Sequence, residues 1–288
     1  MAVAATTKTG ARPSRVGHRL SVPSWVGTVP FLAYVGIFLL WPTGIVVVDA
    51  FKNPNGAWAF SNFTELGNPL VRGYFIGSFK LCVFSSVVGA VLGAILAYAV
   101  ASGDPDGVVR RLYLSSSGVL GQFGGVTLAF AFLVLIGPVG LLFHASWYFD
   151  FPWGIGLIYT YFQIPLMVLV ILPALEGLRP AWREAAENLG ARTWDYWRYV
   201  GGPVLLPSFL GCVLLLFGSA LSAYATTEAL TNGTIPLTAI QIGSFLNGNV
   251  IAGQENIGKA LGLGMVVIIA VAMLIYVAMQ RRAAKWLR

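Results

Sequence analysis

Six long apolar runs divide this chain, and they restrict its fold more than any other feature of the sequence. The runs cover about residues 26–48, 75–101, 116–136, 153–175, 204–224 and 258–280. Each is long enough to cross a hydrocarbon core of about 30 Å, which requires about 20 apolar helical residues. Only 10% of the residues are charged, whereas soluble domains contain roughly a quarter. The sequence therefore predicts an all-α polytopic membrane protein with six transmembrane helices in one domain.

The first apolar run is predicted to be an uncleaved transmembrane helix. It is too long for the core of a signal peptide, and no small-residue cleavage site follows it. The predicted organisation is a basic N-terminal tail over residues 1–25, a six-helix domain over 26–280 and a basic C-terminal tail over 281–288.

The distribution of lysine and arginine predicts the orientation of the chain. Six spans place both termini on one side of the membrane, and all but four of the 18 basic residues fall on that side. The exceptions are Lys52, Arg72, Lys80 and Lys259. By the positive-inside rule, the termini, the 102–115 loop and the 176–203 loop are cytoplasmic. The net charge of +7 is thus mainly a topology signal and predicts no nucleic-acid partner, because the basic residues are spread over separate segments.

The sequence lacks the residue patterns that are typical of catalysis or of metal binding. Cys82 and Cys212 lie inside apolar runs and are expected to be small buried residues. His18 and His144 have no second ligand near them, and no phosphate-binding loop or hydrolase motif occurs. We therefore predict no catalytic residue, no metal site and no cofactor bound by this chain. The energy for its function must come from a partner or from an ion gradient.

A polar segment between the fourth and fifth apolar runs is predicted to form two short helices. Pro180 suits the first position of a helix, and its apolar face consists of Trp182, Ala185, Ala186 and Leu189. Arg183 and Glu187 form an i, i+4 pair, and Gly190 is expected just past the end of this helix. The second helix is predicted to start at Thr193 and Asp195 and to end at Gly201, Gly202 and Pro203. Local rules alone also permit a pair of surface helices anchored by their aromatic residues.

The order of residues in this segment resembles the "EAA" loop of the permease subunits of binding-protein-dependent ABC importers. The family pattern is Glu-Ala-Ala, three residues, Gly, nine residues, an aliphatic residue, any residue and Leu-Pro. Its positions are occupied here by Glu184, Ala185, Ala186, Gly190, Val200, Gly201, Gly202 and Pro203. The spacing fits without a gap, and the one departure is Gly202 in place of Leu.

The resemblance implies a type I ABC importer permease fold in a bacterial plasma (inner) membrane, with a mechanical role for this loop over residues 176–203. Its first helix would be the coupling helix, which docks in a groove of an ATPase subunit. The residues implied in this coupling are Glu184, Ala185, Ala186, Glu187, Leu189, Gly190, Val200 and Pro203. The implied partners are two ABC ATPase subunits, which bind ATP and Mg, a second permease, an extracytoplasmic binding protein and membrane lipid. The second permease is expected to be a different chain, giving a heterodimer.

The wider chain is similar to permeases of the spermidine/putrescine type, which implies a polyamine as substrate. Similar permeases carry ferric iron, thiamine or aminoethylphosphonate, and these substrates stay open. The acidic residues Asp49, Asp150, Glu228 and Glu255 on the predicted outer side would favour a cation.

Polar residues within or beside the apolar runs are candidates for the substrate path, because hydrocarbon offers them no hydrogen-bond partner. The candidates are Gln122, Gln163, Ser219, Ser222, Tyr224, Asp150 and Glu228. Each is also compatible with a hydrogen bond between helices. The 225–257 segment is predicted to be an outer loop with one short helix. Three small-residue motifs, Gly89–Gly93, Gly121–Gly125 and Gly258–Gly262, are expected to allow close helix contacts.

Two other classes of protein fit the sequence less well. An ion-coupled secondary transporter should contain internal repeats and intramembrane charges, and the sequence shows neither of them. A membrane enzyme requires a nucleophile, a base or a metal site, for which no pattern is present.

Overall fold

The computed structural model describes residues 28–53, 55–58, 60–104, 106–137, 140–141, 153–246, 248 and 255–286. Eleven helices account for most of these residues. Within the described ranges, strand-like pairing is limited to one isolated bridge between Lys52 and Trp58. The prediction of an all-α protein is confirmed.

The helices are numbered here in chain order. They are α1 (Val29–Ala50), α2 (Ser61–Glu65), α3 (Pro69–Ala101), α4 (Val108–Leu120), α5 (Gly125–Ile136), α6 (Trp153–Glu176), α7 (Pro180–Asn188), α8 (Thr193–Ser222), α9 (Tyr224–Thr231), α10 (Thr238–Leu246) and α11 (Glu255–Trp286). The chain divides into two compact units, Met1–Ile45 and Val46–Arg288.

The described part of the first unit is the helical stretch from Val29 to Ile45, which contains a π-turn over Gly36–Leu40. The Thr43 hydroxyl donates a hydrogen bond to the Leu39 carbonyl oxygen, at 2.7 Å, so this polar group is satisfied within its own helix. The large apolar side chains of this stretch are exposed, Leu32 and Phe38 among them. Such a surface is expected of a helix that is surrounded by lipid or by another subunit.

In the second unit, one predicted span differs from a simple membrane-crossing helix. The predicted helix over 116–136 is wrong as a continuous element, because α4 and α5 meet at an angle of 103°. The backbone of Gly124 is extended, and Gly125 has a φ of +69°, which L-residues with a side chain rarely adopt. The predicted helical face shared by Gly121 and Gly125 is therefore also wrong. With this pair counted as one broken span, the described residues contain six candidate spans.

The centre of this unit is the contact between α3 and α6, the most extensive between any two of its described helices. A Cβ atom added to Gly89 would lie 2.8 Å from the Cβ of Gln163, and one added to Gly93 would lie 2.5 Å from the Cβ of Met167. The predicted packing role of this glycine pair is confirmed, because no larger residue allows the two helices to approach so closely. Cys82 and Cys212 are buried and unpaired, as predicted.

The segment after α8 contains more structure than the sequence indicates. Instead of one short helix, residues 224–246 form both α9 and α10. The Thr238 backbone N–H donates to the Ser78 hydroxyl at 2.9 Å, which joins the start of α10 to α3. The last helix continues to Trp286, beyond the predicted boundary at residue 280. The N-terminal tail over 1–25 lies outside the described residues.

Candidate functional site

Helix α7 is the most exposed polar element of the second unit, and its start follows directly from the sequence. Pro180 occupies the first turn, where its missing N–H costs no hydrogen bond. The helix begins four residues after α6 ends at Glu176, so α6 leads almost directly into it. No residue of α7 is buried.

The predicted apolar face of α7 is exposed in this chain. Trp182, Ala185 and Leu189 are all exposed, with Leu189 at 88%, whereas Ala186 is half-buried. A helix that presents a tryptophan and a leucine to its surroundings provides an apolar surface for a partner. The two alanines between them leave the helix backbone accessible to close contact.

The two carboxylates of α7 have different surroundings. Glu187 Oε1 accepts from Arg183 Nε at 3.0 Å, and the carboxylate raises the pKa of this guanidinium. Glu184 is exposed, and it has no ion-pair or hydrogen-bond partner among the residues that the structure describes. The predicted Arg183–Glu187 pair is therefore confirmed, and Glu184 is the carboxylate that remains available to another molecule.

Gly190 ends α7 in the way that the sequence indicates. Its φ is +79°, and the backbone N–H groups of Gly190 and Ala191 donate to the carbonyl oxygens of Glu187 and Ala186, at 2.9 and 3.0 Å. These two bonds form a Schellman motif, which closes the last turn of a helix through a left-handed residue. Because nothing lies within 4 Å of a Cβ added at Gly190, the need for glycine comes from the backbone conformation.

The second helix of the loop differs from the prediction. Asp195 Oδ2 accepts from the backbone N–H of Arg192 at 3.0 Å, and α8 starts at Thr193 as expected. The expected end at residues 201–203 is wrong, because α8 continues without a break to Ser222. A π-turn over Trp197–Gly201 precedes Pro203. This local change in winding lets the helix continue although Pro203 has no N–H to donate.

The π-turn also explains the single departure from the family pattern. A Cβ added to Gly202 would lie 2.5 Å from the backbone oxygen of Trp197. In this geometry, the leucine of the pattern does not fit at position 202. Val200 is half-buried nearby, and Pro203 lies in the first turn of the α-helical part of the fifth span.

Two contacts outside the loop join it to the neighbouring spans. The ring of Trp197 packs edge-on against that of Tyr98, near the end of α3, with the centroids 5.2 Å apart. Arg110 of α4 forms an ion pair with Glu176, the last residue of α6. The loop is thus attached to four different spans, α3, α4, α6 and α8.

A second candidate region is formed by two helix breaks that lie against each other. The break between α4 and α5 contains Gln122, and the break between α8 and α9 lies at Ala223. The Gly125 backbone N–H donates to the Thr226 hydroxyl at 2.9 Å and so joins the two breaks. Non-helical backbone within a membrane is tolerated where it is buried in protein or lines a cavity.

Tyr159 of α6 stabilises the second break. Its hydroxyl hydrogen-bonds with the Ala223 carbonyl oxygen, at the break itself, and with the Thr227 hydroxyl in the first turn of α9. A cavity of about 10 Å³ lies beside these groups, with Ser78 and Tyr224 also in its wall. This volume is enough for about one water molecule. The cavity is therefore too small for a solute.

The structure places the predicted path residues in different parts of the chain. Gln122 is exposed at the first break, and Ser219, Ser222 and Tyr224 lie around the second, where the Ser222 hydroxyl donates to the Ser219 carbonyl oxygen at 3.0 Å. Glu228 is half-buried on α9, and Asp150 lies outside the described residues.

Gln163 is fully buried between α3 and α6. Its Nε2 donates to Ser85 Oγ at 3.3 Å, and its Oε1 has no hydrogen-bond partner in the described structure. The position fits the alternative of a contact between helices.

Sequence reasoning missed Tyr159, Thr226 and Thr227. The only signal for the threonines is a polar pair directly after an apolar run, and the bend near Gly125 could not be inferred from residue types. The sequence predicted no metal site, and this stays a prediction. Among the residues that the structure describes, no three His, Cys, Asp or Glu side chains are grouped so that they could hold a metal ion.

The predicted acidic outer region is weaker than the sequence indicates. Asp49 accepts from Lys259 Nζ at 3.0 Å and from Lys52 Nζ at 3.4 Å, so its charge is balanced within the chain. The Glu255 side chain and Asp150 lie outside the described part. Of these four acidic residues, the structure describes the side-chain surroundings of Asp49 and Glu228. Glu228 is the one of the two that has no basic partner among the described residues.

Comparison with protein families gives one match, which covers nearly the whole chain. Residues 21–288 match the model of the binding-protein-dependent transport system inner membrane component. Among curated proteins, the chain is 23% identical over 266 residues to the spermidine/putrescine transport system permease protein PotB of Haemophilus influenzae, covering 83% of this chain and 87% of the relative. It is 28% identical over 206 residues to the sulfate transport system permease protein CysT of Escherichia coli, covering 67% and 69%.

Solved structures show the same fold. A chain from the crystal structure of a bacterial ABC transporter involved in the import of the acidic polysaccharide alginate superposes with a TM-score of 0.67 and 19% identity, over 90% of this chain and 94% of that one. A chain of the MetNI methionine ABC transporter, in an inward-facing conformation, gives a TM-score of 0.55 and 15% identity, over 74% and 95%.

Proposed function

Because the chain belongs to the family of binding-protein-dependent transport system inner membrane components, we propose that it forms half of a solute path and couples this path to a separate ATPase through α7. The chain is a multi-pass ABC importer permease. The observation that carries the coupling role is the exposure of α7, whose Glu184 has no partner within the described chain. A basic residue in an ATPase groove would supply the missing counter-charge.

The proposed role of α7 is mechanical. The ATPase subunit binds ATP and Mg and performs the hydrolysis, and its movement displaces α7. The ion pair between Arg110 and Glu176 and the ring contact between Trp197 and Tyr98 then carry that displacement to α3, α4, α6 and α8. In this proposal, α7 and both termini face the cytoplasm.

The proposed path passes the two helix breaks. Polar side chains lie at both breaks, namely the amide of Gln122 and the hydroxyls of Ser222 and Tyr224. The hydrogen bond between Gly125 and Thr226 holds the two breaks together. The cavity within the chain there holds about one water, so the path requires a second wall. We propose that a second, different permease supplies this wall, with two ATPase subunits below and an extracytoplasmic binding protein above.

The proposed substrate is a polyamine, which is supported by similarity to a spermidine/putrescine permease and by Glu228. A second candidate is a small oxyanion. The specific observation that favours it is that Lys52 and Lys259 both pair with Asp49. The negative charge of Asp49 is thereby neutralised, so the proposed outer surface is less acidic. Similarity to a sulfate permease agrees with this candidate.

Uptake assays test the proposal. The complete transporter is purified, placed in liposomes with ATP inside, and supplied with its binding protein and with labelled spermidine, sulfate or thiamine. We expect ATP-dependent uptake and copurification of an ATPase subunit. Uptake driven by a proton or sodium gradient without the ATPase would refute the proposed coupling. Glu228→Gln should slow uptake only if the substrate is cationic, and uptake of a neutral or anionic substrate should be unchanged in this variant.

A further inference from the structure

We propose that the surface formed by α3, α8 and α11 holds a single anionic phospholipid. One acyl chain would lie in an apolar groove, and the headgroup phosphate would lie between Arg72 and Lys80. This site is separate from α7 and from the helix breaks, and it is independent of the substrate.

The groove has a volume of about 530 Å³ and lies between three spans. Its walls are Phe79, Val83 and Val87 of α3, Val213 and Phe217 of α8, and Val271 of α11, among others. Phe79 and Phe217 contact each other at one end, with their ring centroids 5.8 Å apart. The Ser86 hydroxyl in the wall donates to the Cys82 carbonyl of its own helix, so it needs no polar ligand. The occupant is therefore apolar.

The position of the groove in the membrane follows from the contact between α3 and α6. Gln163 is near the middle of α6 and packs against Gly89, so Gly89 marks the level of the bilayer centre on α3. At a rise of 1.5 Å per residue, Lys80 lies roughly 13 Å from this level and Arg72 roughly 25 Å. Half the hydrocarbon core is about 15 Å thick. Lys80 is thus at the edge of the hydrocarbon, and Arg72 is at the level of the headgroups.

The two basic residues share a helix face with the groove. Relative to Arg72, Phe79 and Lys80 follow at i+7 and i+8, and Val83 follows at i+11, which keeps all four on one side of α3. Arg72 and Lys80 are exposed, and neither has an ion-pair partner among the residues that the structure describes. Asp49 is paired with Lys259 and Lys52. Two uncompensated cations directly beyond an apolar groove match a phosphate that is joined to an acyl chain.

The charge beside the groove favours a phospholipid over a protein helix. From Phe79 to Val87, the groove extends for roughly 12 Å along α3. An apolar helix seated there would leave Arg72 and Lys80 without a counter-charge. A phosphate that is joined to an acyl chain provides both the apolar contact and the counter-charge.

Native mass spectrometry of the complete transporter tests the site. The transporter is purified in mild detergent, incubated with phosphatidylglycerol or phosphatidylcholine, and the lipid retained by each permease is counted. We expect one phosphatidylglycerol to be retained in preference to phosphatidylcholine. A basic residue near an anionic surface contributes about 1 kcal/mol, so Lys80→Gln and Arg72→Gln should each weaken retention about five-fold. Arg281→Gln, at the other end of α11, is the charge control.

A second pair of variants tests the groove itself. Val271→Trp fills the groove and should abolish retention, whereas Leu274→Trp, on the exposed surface of the same helix outside the groove, should not. A photoreactive residue at Val83 should label phospholipid. Labelling of the second permease or of the first span instead, or equal retention in both tryptophan variants, would refute the proposal.

Discussion

The clearest test of the coupling role is to remove the two carboxylates of α7 separately. Glu184 and Glu187 are three residues apart on the same short helix, and both are exposed. They differ in their partners, because Arg183 already binds Glu187 at 3.0 Å, whereas Glu184 has no partner within the described chain. If α7 docks in the ATPase, Glu184→Ala and Glu187→Ala should therefore have very different effects.

The expected magnitude follows from what each substitution leaves behind. Docking would bury Glu184 against a basic residue of the ATPase, and Glu184→Ala would leave that residue buried without a counter-charge. Truncation of one member of such a pair costs about 2–5 kcal/mol, which is on the order of 30-fold to several thousand-fold in affinity. Glu187→Ala removes an ion pair whose members are both more than half exposed. Pairs of this kind contribute little, so a small change is expected.

The assay is a pull-down of the ATPase subunit with each permease variant, with transport measured in parallel. Both substitutions lie outside the spans, so insertion and thermal unfolding of the bundle should be unchanged in each. We expect Glu184→Ala to lose the ATPase and to abolish transport, and Glu187→Ala to retain both. Equal behaviour of the two variants would refute the reasoning, because Glu184 would then be an ordinary surface charge.

Three further predictions concern the loop, the helix break and the orientation. Gly190→Leu should weaken ATPase binding more than Gly190→Asn in the same pull-down, because a left-handed conformation costs most L-residues about 1–2 kcal/mol but is tolerated by asparagine; equal losses would exclude a backbone cause. Tyr159→Phe should destabilise the bundle by about 1 kcal/mol in a thermal unfolding assay, because the buried Thr227 hydroxyl and the Ala223 carbonyl each lose a hydrogen-bond partner, and Tyr161→Phe is the matched control on the same helix. A cysteine at position 55 should react with an impermeant thiol reagent in whole cells and one at position 188 should not, as the proposed orientation requires; labelling at position 188 would reverse it.

The sequence predicted those parts of the fold that depend on residue type and spacing. Apolar length places the spans, because each must match the same hydrocarbon thickness. Pro180 and Gly190 define the ends of α7, because each has a restricted backbone requirement that the structure satisfies. Gly89 and Gly93 marked a close helix contact for a similar reason, although their partner helix α6 could not be inferred from the motif.

The features that could not be predicted depend on tertiary contacts. Small residues allow close packing at Gly89, but near Gly125 they allow a bend of 103° instead. There the Gly125 N–H donates to the Thr226 hydroxyl, about a hundred residues later in the chain. The pair Gly202–Pro203 is similarly ambiguous. Read locally, it ends a helix, but a π-turn over Trp197–Gly201 continues the helix through it. Neither a hydrogen bond between distant segments nor a π-turn has a residue pattern that identifies it in the sequence.

The continuous course of α8 affects how the loop can act. Had the helix ended at Pro203, a movement of α7 could be absorbed by a flexible joint before it reached the fifth span. Instead, one helix runs from Thr193, beside α7, to Ser222, beside the break that Tyr159 stabilises. At 1.5 Å per residue, this helix links the two sites over roughly 45 Å. The π-turn over Trp197–Gly201 lies between the two sites, and the ring of Trp197 packs there against Tyr98. In the proposed coupling, a displacement at α7 would therefore reach the helix break through one continuous helix that is held at this turn by α3.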